Sequence, residues 1–94
     1  MRALFLSVRL YDDFMFLEPE DQREMLLLET NVMEWPEEQL RKELESVRPT
    51  YELLCTLANE ELNERERVRL LYHSRRMDLK MAVIEDELTR RELR

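Results

Sequence analysis

Ninety-four residues suit one compact domain whose single core is adequate but not generous, so burial shared with a second copy would add stability. The chain has no glycine, one cysteine, one histidine and a formal charge of -7. That excludes glycine-built phosphate loops, an internal disulfide and histidine-rich metal sites within one chain, while 44% hydrophobic and 39% charged residues exclude a disordered chain and fit amphipathic helices with ion-paired outer faces.

The opening segment is the ambiguous one. Leu4, Leu6, Val8 and Leu10 alternate as in a strand, whereas Leu4, Val8, Tyr11 and Met15 follow helical spacing. Helix is favoured over residues 3-10, because no second strand is available to pair with a lone one. The apolar run before Arg9 is too short for a signal peptide, and no stretch approaches the roughly 18 apolar residues of a membrane span. An intracellular, cytoplasmic protein without membrane contact is therefore expected.

Glu18-Pro19-Glu20-Asp21 reads as a helix start, since proline is tolerated in the first turn and carboxylates there oppose the positive end of the helix dipole. This second helix is expected to run to about Met33. Trp35-Pro36-Glu37-Glu38 repeats the signal, and Trp35 is expected as a core or staple residue. Leu40, Leu44 and Val47 then form a narrow stripe on a peripheral helix ending near Arg48-Pro49. Thr50 is read as the cap of a further helix in which Tyr51, Leu54, Cys55, Ala58 and Leu62 share a face widened by Leu53 and Leu57, a breadth that predicts central burial. Asn63-Glu64-Arg65-Glu66 fits a capping box and sets the next boundary, with Asn31, Asn59 and Asn63 standing in for glycine at helix ends.

The last helix, about 64-92, carries two apolar stripes. Leu70, Met77, Met81, Ile84 and Leu88 form one, expected to close the domain's own core; Val68, Leu71, Leu79, Ala82 and Leu93 form the other, expected as a self-association face, with the opposite assignment of the two stripes as the alternative. No heptad persists long enough for a parallel coiled coil, and no repeat is visible.

Charge is unevenly placed. Residues 1-47 hold five basic and twelve acidic side chains, and residues 48-94 hold ten of each. Arg65, Arg69, Arg76 and Lys80 lie on one helical line with Tyr72 and His73 beside it. This strip can bind an anion or an acidic partner, or pair with the acidic half of its own or a second chain. Glu18, Glu20, Asp21, Glu24, Glu37 and Glu38 offer an acidic surface for a basic partner. His73 has no carboxylate three or four positions away, Cys55 lies between Leu54 and Leu57 with Thr56, and adjacent carboxylates on a helix diverge by about 100°. No catalytic, cofactor or metal site is nominated.

These features predict an all-α bundle of four to five helices with a long C-terminal helix. The expected activity is that of a non-enzymatic, regulatory interaction protein, homodimeric through its last helix and able to bind another protein. The alternatives are an acidic inhibitor occupying a basic groove of a nucleic-acid-handling partner, and a less favoured nucleic-acid-associated factor using the Arg65 to Lys80 strip.

Overall fold

The computed structural model describes residues 8-93. They form four α-helices and no strand: α1 (Val8–Phe16), α2 (Pro19–Asn31), α3 (Glu37–Glu60) and α4 (Glu64–Glu92), with a 3-10 turn at Val32–Glu34. The expected helix in the opening segment is present from Val8; residues 3-7 of that expectation lie outside the described residues.

Pro19 opens α2 in its first turn with Glu20 and Asp21 beside it, where a missing N–H costs nothing and carboxylates face the positive dipole end. Pro36 stands one place earlier, as the residue that caps α3. The Asn63 side chain accepts from the Glu66 backbone N–H at 3.1 Å, the expected cap of α4. The glycine-like conformation expected of asparagine is not used, because no described residue has a positive φ. Asn31 is the last residue of α2, Asn59 lies inside α3, and Asn63 is an extended N-cap.

Pro49 does not end a helix. It lies inside the continuous 24-residue α3, so two expected helices are one. Its ring removes the donor that the Glu45 carbonyl would receive four residues on. Glu45 and Pro49 are both exposed, so water can serve that carbonyl, while Val47 and Ala58 anchor the same helix from its buried side. Thr50 accordingly caps nothing; its hydroxyl donates back to the Ser46 carbonyl at 3.3 Å.

The core gathers where α2 and the 3-10 turn cover the C-terminal half of α4. Leu17, Met25, Val32, Leu40, Leu79, Val83, Ile84 and Leu88 are buried together, with Phe14, Leu28, Trp35, Leu44, Tyr72 and Ala82 packed against them. Trp35 thus meets the expectation of a core residue. The two halves of α3 exchange their expected roles. Leu40 and Val47 of the supposedly peripheral part are buried, whereas in the supposedly central part Ala58 is buried but Leu53, Leu57 and Leu62 are exposed. The cause is length: α4 has 29 residues, about 43 Å of helix, and α2 with 13 residues spans less than half of it. The molecule is correspondingly elongated, at 47 × 24 × 21 Å.

Candidate functional site

Beyond the reach of α2, the end of α3 and the start of α4 form a hairpin with an unusual apolar surface. Leu53 and Leu57 from α3, and Val68 and Leu71 from α4, are between 40% and 58% exposed. The connection of Glu61, Leu62 and Asn63 has no helical residue. Its backbone is extended at Glu61 and Asn63. The Asn63 N–H donates to the Glu61 carboxylate at 3.0 Å, so side chains brace a turn that glycine would ordinarily supply. Leu62 at its apex is 98% exposed.

A groove of about 430 Å³ lies behind this apex, with Phe16, Glu18 and Asp21 on one side and Arg65, Val68, Arg69, Tyr72 and His73 of α4 on the other. Phe16 is held in place by two neighbours. Its ring lies 5.8 Å from that of Tyr72 at a 44° tilt, and the Arg75 guanidinium sits 4.4 Å above it. A cation over an aromatic face is attracted by the ring quadrupole.

Tyr72 fastens the start of α2 to α4. Its hydroxyl accepts from the Glu18 backbone N–H at 2.9 Å and donates to the Asp21 carboxylate, which also meets the Arg76 guanidinium at 3.3 Å. The Tyr72 hydrogen bond, aided by Arg76, holds the Asp21 carboxyl below its ordinary pKa against the opposing effect of burial. Burial, followed by the bond to Asp21, pushes the Tyr72 phenol up.

The basic strip is therefore divided. Arg76 pairs with Asp21, Lys80 with Glu43 at 3.6 Å, and Arg69 touches Glu66 of its own helix at 3.9 Å. Arg65 and Arg67, both exposed, form no ion pair among the described residues. Much of the strip thus meets the chain's own acidic half, the arrangement in which surface charges contribute modestly, about 0 to 1 kcal/mol each.

The expected acidic surface is likewise two patches. Glu18, Glu20, Asp21 and Glu24 surround the start of α2, whereas Glu37 and Glu38 open α3 beyond its far end, and a 13-residue helix separates them by about 20 Å. Asp21 is engaged by Tyr72, and Glu37 by Arg41 at 3.2 Å.

The expected self-association stripe is divided along the helix. Leu79 is fully buried in the chain's own core and is not available to a docked partner, and Ala82 is half-buried against that core. Val68, Leu71 and Leu93 remain exposed. Of the stripe expected to close the core, Met81, Ile84 and Leu88 are buried, and Leu70 and Met77 half-buried. Position along α4 decides burial together with side of the helix, since Glu85, Thr89 and Arg90 are exposed beside the buried Ile84 and Leu88.

Cys55 and His73 face different neighbours. The neighbouring Cys55 thiol, ahead of burial, pushes the Tyr51 phenol up, whereas the His73 ring lies edge-on to Tyr72 at 5.6 Å. No group of three histidine, cysteine or acidic side chains among the described residues is placed to hold a metal ion. No described helix is long and apolar enough to cross a membrane.

Two features had no sequence signal. Glu87 is 1% exposed, and Arg91 reaches it from one turn later at 2.9 Å; an acidic residue followed by a basic one four places on is equally the pattern of an exposed helix face. The groove joins Phe16 to Val68, residues distant in the chain, and has no local signature. Compared with known proteins, the chain matches no family model, no curated protein and no solved structure.

Proposed function

We propose that this chain is a non-enzymatic helical interaction and regulatory protein that self-associates through the distal half of the α3/α4 hairpin. The reading rests on one observation: Leu53, Leu57, Val68 and Leu71 are exposed on a hairpin that projects past the core. Each such side chain contributes roughly 1.5 to 3 kcal/mol when fully removed from water, and apolar side chains gathered in one region mark a docking surface more often than isolated ones do.

Charge favours a second copy as the partner. Residues 49-61 of α3 and the turn carry Glu52, Glu60 and Glu61 without a basic side chain, while residues 65-75 of α4 carry Arg65, Arg67, Arg69 and Arg75 against Glu66. Neighbouring helices of opposite sign suit a twofold contact in which α3 of each copy faces α4 of the other. This moves the interface away from Leu79, which the fold buries, and from the half-buried Ala82.

The test is sedimentation equilibrium of the parent and of a Leu57→Asp, Leu71→Asp double variant. Both positions are exposed in the free chain, so the variant is expected to keep its helical spectrum and become monomeric where the parent is dimeric. A parent that stays monomeric up to several hundred micromolar overturns the reading.

A further inference from the structure

Resting on that self-association reading, we propose that Leu62, at the apex of one copy's hairpin, seats in the groove beside α4 of a second copy, and that the exchange is reciprocal. Leu62 combines near-complete exposure with a braced turn, its neighbours Glu61 and Asn63 being tied by side-chain hydrogen bonds. A side chain carried on a preorganised turn loses little further freedom when it docks, so more of its burial goes into affinity. The groove receives it on Phe16, Val68 and the Tyr72 ring, and its volume of about 430 Å³ accommodates a leucyl side chain together with adjoining atoms of the turn.

Charges match on both lips. Glu60, Glu61 and Glu64 flank Leu62 in the sequence, and the α4 wall of the groove presents Arg65 and Arg69. On the opposite lip stands the exposed Glu18, and the hairpin also carries the exposed Arg67, of opposite sign. The spacing also closes. From the apex to the groove floor at Val68 and Tyr72 is roughly six to ten residues, or about 9 to 15 Å along the helix axis. Two antiparallel hairpins overlapping by that length place each apex against the other's groove around one twofold axis, and the contact terminates at two copies.

Sedimentation equilibrium of the full chain separates this seat from the broader hairpin contact, using Leu62→Ser, Val68→Trp and both together, with thermal melts confirming that each variant folds. Leu62 touches solvent almost entirely in the free chain, so its loss leaves the fold intact. Leu62→Ser is expected to weaken the dimer by about tenfold or more. Val68→Trp fills the groove and is expected to weaken it similarly, although added apolar surface would strengthen a general hairpin contact. The double variant should be little weaker than either single one, because both remove the same contact. A dimeric parent whose affinity is unchanged by Leu62→Ser overturns the Leu62 seat and leaves the hairpin reading standing. Unchanged or tighter association of Val68→Trp overturns the groove as its receptor. A parent monomeric at every concentration overturns the self-association reading, and this inference with it.

Discussion

Arg91 shows how a chain without glycine closes a helix. The last carbonyls of any helix lack intrahelical donors, and a left-handed glycine commonly turns the chain back to cover them. Here a side chain from the other end of the sequence serves the 3-10 turn that follows α2: the Arg91 guanidinium donates to the carbonyls of Val32, at 3.2 Å, Met33 and Trp35, the first of which also accepts the Trp35 N–H, while its Nε donates to Glu87. Replacing Arg91 by alanine should cost about 3 kcal/mol, because it removes a charge-assisted hydrogen bond to the buried Glu87 and the donor to three backbone carbonyls. Arg91→Lys should recover only part, since an ammonium cannot reproduce the planar fork. Urea denaturation measures both, and a loss below about 1 kcal/mol for alanine would show that Arg91 is a surface residue in energetic terms.

The clip between Tyr72 and Asp21 makes a pH prediction of the same scale. Asp21 has a folded pKa below its ordinary value, so its contribution is present above the unfolded pKa and is lost as pH falls through the folded one. Tyr72 is shifted upward; its contribution is complete below the unfolded value and disappears as pH rises through that value toward the folded one. Stability of the parent should therefore fall at both the acid and the alkaline extreme. Tyr72→Phe should flatten part of both slopes in chemical denaturation series, and slopes identical to the parent's would count against the clip.

At the scale of elements, α3 is the informative helix. Proline after an apolar stripe is a sound stop signal locally, yet α3 passes through Pro49 because buried contacts on either side hold the axis and the broken position faces water. Pro49→Ala restores a donor to the Glu45 carbonyl and removes the ring clash, against a gain in unfolded-chain entropy, for a net stabilisation of about 2 kcal/mol. A raised thermal midpoint is the expected result, and a lowered one would mean that a proline-induced bend is needed for the packing of α3 on α4. The other joints were legible because their signals are local: Pro19 with its acidic turn, and Asn63 with Glu66. Pro49 was not, since its outcome depends on α4.

At the scale of the whole molecule, the apolar pattern of α4 predicts two stripes with separate roles, whereas the fold buries members of both and exposes members of one. A helical wheel reports angle and is blind to which lengths of a helix its neighbours reach. Val68 and Leu79 fall on one stripe, yet Leu79 is buried in the core while Val68 stays exposed beside the first turn of α2. The proposed interface therefore moves from one side of α4 to one end of the α3/α4 hairpin, and the dimer prediction moves with it to Leu57, Leu62, Val68 and Leu71. Likewise the basic strip was visible as a line of residues, but its partial neutralisation by Asp21 and Glu43 needed the fold.

The sequence by itself determined an all-helical chain, most of its helix starts, the length of α4 and the absence of glycine-built loops. These follow from periodicity, capping and backbone freedom, whose range is a few residues. Tertiary structure alone decided that α3 is continuous, that Glu87 is buried under Arg91, and that Leu53, Leu57 and Leu62 face water. Burial depends on which elements overlap in space, and overlap is set by the relative lengths of α2 and α4 and by where the chain turns back.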